Sequence, residues 1–265
     1  NARSHAQKAL EIAERLGDRR NLAVQLTQLG EIFHKLGDAV SAVNHLTRSA
    51  LIAHGMGVKF HEETAILRLA EVYLDCGQVD EVFSALTRME ESVSGKTVLN
   101  VRRQWLEGRA WLEVRNHERA RALLEEAFKG YDMLRNRPGK SNTLVDLARL
   151  EAAEGEPRRS RMYLSRALRL ASGAADKEVM ARLNLTWGQV ELEDEKGDLA
   201  VGLANAGRAV EKSEGLGNPW ILWEALYLVA RYQIRQGDPM DAAIPFRRAG
   251  TIVDSIVVKL PLTAR

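Results

Sequence analysis

The 265-residue sequence has a single cysteine, Cys76, so no disulfide can close within it, and the cysteine-rich zinc and disulfide scaffolds are excluded. A reducing compartment, the cytoplasm, is the expected location. Apolar runs are short. None approaches the roughly 20 residues that span a bilayer, and the N-terminus lacks the charged-then-apolar layout of a signal peptide, so no membrane partner is expected. Net charge is also slight: 38 basic residues against 36 acidic ones leave +2, too little positive field for a dedicated nucleic-acid binder that must neutralise many phosphates.

Catalytic signatures are missing as well. The histidines His5, His34, His45, His54, His61 and His117 are dispersed, and His61-Glu62-Glu63 has no second histidine four residues on, as a zinc-protease helix requires. Gly55-x-Gly57 lacks the third glycine and the flanking strand of a dinucleotide cradle, which leaves a helix-ending turn. Cys76 beside Gly77 has no cationic neighbour to hold a thiolate and is expected to be a small filler. No enzyme activity, cofactor or metal is expected.

What is present is a repeat. Leu29-Gly30-Glu31-Ile32-Phe33 followed by Leu36-Gly37-Asp38 recurs as Leu69-Ala70-Glu71-Val72-Tyr73 with Cys76-Gly77, as Trp187-Gly188 with Gly197-Asp198, and as Val229-Ala230 with Gly237-Asp238. The turn glycines Gly37, Gly77, Gly155, Gly197 and Gly237 stand 40, 78, 42 and 40 residues apart, so a weaker copy lies within the longer gap. A small residue holds one position in six copies: Gly30, Ala70, Gly108, Ala148, Gly188 and Ala230. Glycine inside a helix costs about 1 kcal/mol against alanine, so its recurrence implies a second helix passing close. In the second half of each copy a small, a large and a small residue follow at spacings of four and three, as in Ala42, Leu46, Ser49 and in Ser160, Leu164, Ala167, which makes an apolar stripe on one helical face.

Helix A segments are expected near 21–36, 60–76, 98–115, 141–154, 177–196 and 219–236. Helix B segments are expected near 2–16, 39–54, 79–93, 118–134, 157–172, 199–214 and 239–257. Pro157 and Pro239 fit the first turn of a helix. Gly55, Gly57, Gly95, Gly139, Gly215 and Gly217, together with the basic stretch Arg135, Arg137 and Lys140 around Pro138, are expected in connections. The chain opens on Asn1 already in helical pattern, which suggests a fragment of a longer protein. The tail from Val257 to Arg265 is a candidate partial cap.

These residues resemble the tetratricopeptide (TPR) signature: a small residue in helix A, an aromatic three later, a Gly-Asp turn, and Ala-x3-Phe/Leu-x2-Ala in helix B. The period here is near 40 rather than the usual 34, similar to long-helix variants in bacterial multidomain regulators and kinesin light chains. Glu151, Glu191 and Gln233 depart from it at the aromatic position of copies four to six. The resemblance implies an all-α fold, a right-handed α-solenoid of about 13 helices in one domain over 1–265. Its parts would be helix 1–16 and six hairpins at 21–57, 58–95, 97–135, 141–173, 177–217 and 219–257.

The resemblance further implies that A helices line a concave surface holding a polypeptide partner. Carrying the family's inner-face positions over gives Thr27, Glu31 and His34; Arg68, Glu71 and Asp75; Arg102, Trp105 and Arg109; Asp146 and Arg149; Arg182 and Gln189; Glu224, Tyr227, Arg231 and Arg235. The expected contact residues are Arg68, Arg102, Trp105, Arg109, Arg149, Arg182, Tyr227 and Arg231. Guanidinium groups suit an acidic or C-terminal segment, and large aromatics concentrate interface energy. Two readings of the arginines stay open: a groove for such a segment, or a solvated face in which Glu31, Glu71, Glu113 and Asp146 pair them internally. The expected role is a non-enzymatic interaction or scaffolding module within a larger bacterial signalling protein. The alternatives are a ligand- or peptide-sensing arm of a transcription regulator and an accessory arm of an enzyme. Self-association is left open.

Overall fold

The computed structural model describes residues 2–89, 97–171 and 176–257, and among these every regular element is a helix. There are thirteen: α1 (Ala2–Leu16), α2 (Arg19–Lys35), α3 (Ala39–Gly55), α4 (Lys59–Asp75), α5 (Val79–Thr87), α6 (Val98–Glu113), α7 (His117–Met133), α8 (Arg137–Ala153), α9 (Pro157–Ala171), α10 (Lys177–Glu193), α11 (Leu199–Leu216), α12 (Pro219–Gln236) and α13 (Pro239–Val257). They fall into two compact units, one built on α1 to α6 and the other on α7 to α13 as far as Ser255. In the first unit α2 packs on α3 and α4, and α3 packs on α4; in the second, α8 packs on α9, α10 on α11, and α11 on α12. This neighbour-on-neighbour stacking of hairpins is the α-solenoid plan.

The breakers act through definite hydrogen bonds. At the end of α2, Gly37 adopts a left-handed φ of 74°, its N–H donates to the His34 carbonyl, and the Asp38 N–H donates to that of Phe33. Asp38 then caps α3, its carboxylate accepting from the Ser41 N–H at 3.1 Å. The weaker copy lacks its turn glycine because Arg115 (φ 59°) holds the equivalent left-handed place, as Arg135 (φ 53°) does one turn later. Gly197 differs from the other turn glycines. Its φ is not left-handed, and a Cβ there would lie 2.0 Å from the Glu191 carbonyl oxygen, so close backbone approach is what demands glycine.

One expected connection is a helix. Pro138 and Gly139 belong to the first turn of α8, which begins at Arg137 rather than 141, because Asn136 caps it through the Gly139 N–H and proline has no N–H to lose there. Gly55 and Gly215 likewise close the last turns of α3 and α11. The helix expected at 79–93 is shorter: α5 closes at Thr87, where Arg88 caps it and the Met89 N–H donates to the Leu86 carbonyl. The connection at Gly95 and the tail beyond Val257 lie outside the described residues.

The repeated small residues are core. A Cβ on Gly30 would stand 2.5 Å from Leu46 Cγ, so α3 crosses α2 where only glycine leaves room. Ala70, Ala148 and Ala230 are fully buried, as are Ala42, Leu46, Ser49, Ser160, Leu164 and Ala167 of the B-helix stripes.

Candidate binding face of the A helices

In the first unit, adjacent A helices are joined by charge. Glu31 of α2 lies 3.2 Å from Arg68 of α4, Arg68 lies 3.1 Å from Glu71 on its own helix, and Glu71 accepts from Arg102 of α6 at 2.5 and 3.1 Å. Burial would raise the Glu71 carboxyl, but Arg102 and then Arg68 outweigh it and hold it at about 2. A second run lies alongside: His34 Nε2 is 2.9 Å from the Asp75 carboxylate, which Arg109 approaches at 3.8 Å. Arg68, Arg102 and Arg109 of this unit thus each have a carboxylate of the same unit beside them.

Trp105, expected as an exposed anchor, is buried at 8% exposure, and the Arg109 guanidinium covers its ring at 5.1 Å from the centroid. The rotation of α6 turns this position toward the packing side, so it contributes apolar area to the unit rather than an open contact.

In the second unit Asp146 is wholly buried, accepts from Arg182 at 2.9 Å and has Arg149 at 3.6 Å. Arg182 also donates to the Asn142 side chain at 3.2 Å. Tyr227 is open to solvent at 42% exposure, with its ring edge-on to Phe246 at 5.4 Å and Arg231 5.9 Å over it. Of the eight residues expected from the sequence, Tyr227 alone presents a large exposed aromatic surface.

Two features escaped the sequence. The first is a duplicated arginine clamp. Arg121 of α7 holds Glu151 at 2.6 Å and also Glu154 of α8; Arg161 of α9 holds Glu191 through two bonds of 2.7 Å and Asp194 at 2.8 Å. Burial would raise the Glu191 carboxyl, and hydrogen bonds from Arg161 and the Asp198 N–H bring it below its ordinary value. The acids that break the aromatic pattern are therefore bonded junction groups. The second feature is an open groove of about 530 Å³ between α1 and α2, lined on one side by His5, Ala6 and Ala9 and on the other by Gln28, Ile32 and Lys35.

Burial and neighbouring Asp75 push the Cys76 thiol up to about 12, away from thiolate character. Among the described residues no group of three or more His, Cys, Asp or Glu side chains could hold a metal ion, and no helix is long and apolar enough to cross a membrane.

No protein-family model matches the sequence, and no curated protein matches it. Solved structures do match by fold. A Rap protein complexed with competence and sporulation factor superposes with a TM-score of 0.73 over 97% of this chain and 70% of its own, at 15% identity. The Rap conjugation gene regulator of plasmid pLS20, in complex with the Phr* peptide, gives 0.68 over 98% and 73%, at 16% identity. A signal-transduction ATPase with a tetratricopeptide repeat sensor from Pyrococcus horikoshii gives 0.50 over 97% and 41%, at 12% identity. The chain thus has the tetratricopeptide-like α-solenoid fold of these proteins.

Proposed function

We propose that the chain is a non-enzymatic interaction module whose A-helix face receives a peptide segment of a partner protein. The observations that carry this are the half-buried Arg68 and Arg102 on the A helices of the first unit and, in the second unit, the half-buried Arg149 and Arg182 together with Tyr227 open to solvent. One of the similar structures holds the Phr* peptide and another a competence and sporulation factor, which supports the same reading. An acidic or C-terminal segment suits these guanidinium groups, since it can take over bonds now made to Glu71 and Asp146. The role would be regulatory, within a larger signalling protein. Selection of displayed peptides on the purified chain, repeated with Arg182→Glu and with Tyr227→Ala/Arg231→Glu, tests the idea. Enriched sequences that either variant loses support it; no enrichment over an unrelated helical protein sinks it.

A second reading is a peptide-sensing arm of a transcription regulator, favoured by the sensor solenoid among the similar structures. It predicts that the bound peptide slows backbone hydrogen exchange well beyond the contacted helices, whereas a plain docking module protects only those it touches.

A further inference from the structure

The basic stretch Arg135, Arg137 and Lys140 gains neighbours in the fold that are distant in sequence. Ser141 of α8 donates to the Ala167 carbonyl of α9 at 3.0 Å, so the first turn of α8 lies beside the last turns of α9. α9 carries five arginines, Arg158, Arg159, Arg161, Arg166 and Arg169, and no acid, within a chain whose net charge is only +2. Near its start, Arg159 and Arg161 have Glu151 and Glu191 beside them. The balance changes toward its end. Among the described residues Arg135, Arg137, Arg166 and Arg169 have no ion pair, and Lys140 has one, with Asp132 of α7.

Two rings hold these cations in place. The half-buried Phe128 of α7 has the Lys140 ammonium 5.3 Å and the Arg166 guanidinium 5.5 Å from its ring centroid, and Tyr163 has Arg166 at 5.8 Å. One ring thus gathers two like charges, and an anion set beside them relieves their repulsion. Cations already held against rings also lose little freedom when they engage a ligand. The surroundings select the kind of anion. Both rings are engaged by cations, which leaves bases little to stack on, and the slight net charge gives no long-range pull on a phosphate backbone. Carboxylates are what this region already binds: Asp132 sits on Lys140, and Glu191 and Asp194 sit on Arg161 of α9 itself.

We propose that the surface made by the end of α7, the start of α8 and the end of α9 is a docking site for an acidic segment of a partner protein, whose Asp and Glu side chains engage Lys140, Arg166 and Arg169. The site uses none of the residues of the A-helix face and does not rest on that reading. The probe is a fluorescein-labelled oligo-aspartate peptide, titrated by anisotropy into the full chain, with an oligo-asparagine peptide as the uncharged reference. Saturable binding of the acidic peptide alone is expected. Arg166→Glu should weaken it about tenfold, and Arg169→Glu, at an exposed position, about fivefold. Phe128→Leu keeps an apolar side chain but removes the ring shared by Lys140 and Arg166, and should weaken binding about threefold. Asp132→Asn removes the resident competitor for Lys140 and should tighten binding about threefold, a gain that misfolding cannot produce.

Absence of saturable binding, or an affinity indifferent to Arg166→Glu and Asp132→Asn, overturns the proposal. Probe binding lost with Arg182→Glu but kept with Arg166→Glu also overturns it, while leaving the A-helix reading standing. A single-stranded oligodeoxynucleotide or phosphatidylserine vesicles bound more tightly than the peptide, and released by Arg166→Glu, would assign the surface to another anion and overturn it too.

Discussion

Where α5 meets α6 in the first unit, Phe83 and Trp111 place their rings 4.5 Å apart; at the same place in the second unit, Arg121 and Arg161 hold Glu151 and Glu191. Each pair joins a B helix to the following A helix, with partners 28 to 30 residues apart in sequence. The stacking of hairpins thus fixes that a junction must be filled, and leaves the chemistry of the filling free. An aromatic pair works through apolar area and ring geometry. A buried ion pair works only as a pair, because removing either member strands the other.

The comparison can be broken most sharply at Arg161. Glu191 is 4% exposed, so Arg161→Ala leaves a buried carboxylate without its counterion and should destabilise the second unit by about 3 kcal/mol. Urea denaturation followed by circular dichroism reads this, and a loss below about 1 kcal/mol would remove the distinction between the junctions. Phe83→Ala in the first unit should cost less, about 2 kcal/mol, because that ring is only partly buried and its loss leaves no unpaired charge. Transplanting the first unit's solution as Arg161→Phe/Glu191→Trp should leave stability within about 1 kcal/mol of wild type, since buried ion pairs exchange for apolar residues near neutrality.

The transplant also has a pH signature. Glu191 titrates below its ordinary value in the folded chain, so its contribution is complete above pH 4.5 and is lost as the pH falls through the lowered value. Wild type should therefore lose more stability than the transplant between pH 5 and pH 3, about the range set by carboxylate titration, and parallel curves would argue against the clamp as the source. The smallest effect belongs to the turns. Arg115→Gly and Arg135→Gly should each raise stability by about 0.5 kcal/mol, matching these turns to the glycine turns, as differential scanning calorimetry can detect.

Most of the helix plan was legible in the sequence because its signals are local. Gly37-Asp38 carries a left-handed residue and the next helix cap in two adjacent letters, and the spacing of Ala42, Leu46 and Ser49 marks a buried face. Pro138-Gly139 misled because the same pair that breaks a helix interior is harmless within its first turn, and only the cap at Asn136 distinguishes the cases. The clamps were hidden for another reason. Glu151 and Glu191 look like defects in an apolar position until their partners, 30 residues upstream on a different helix, are brought beside them. The repeated 40-residue offset of Arg121 to Arg161 and Glu151 to Glu191 was the available signal. The burial of Trp105 depends on the rotation of α6, which sequence periodicity leaves uncertain by about one position in a weakly marked copy.

The run Glu31–Arg68–Glu71–Arg102 has a kinetic corollary. Its guanidinium groups already have carboxylate partners, so the acidic segment proposed above for this face would exchange with Glu71 instead of filling an empty seat. Such a ligand gains only the difference between two similar bonds, and it can leave as the internal carboxylate returns, which favours short residence times. Added salt loosens the resident pair and the incoming one together, so affinity at this face should vary less with ionic strength than its density of charge suggests.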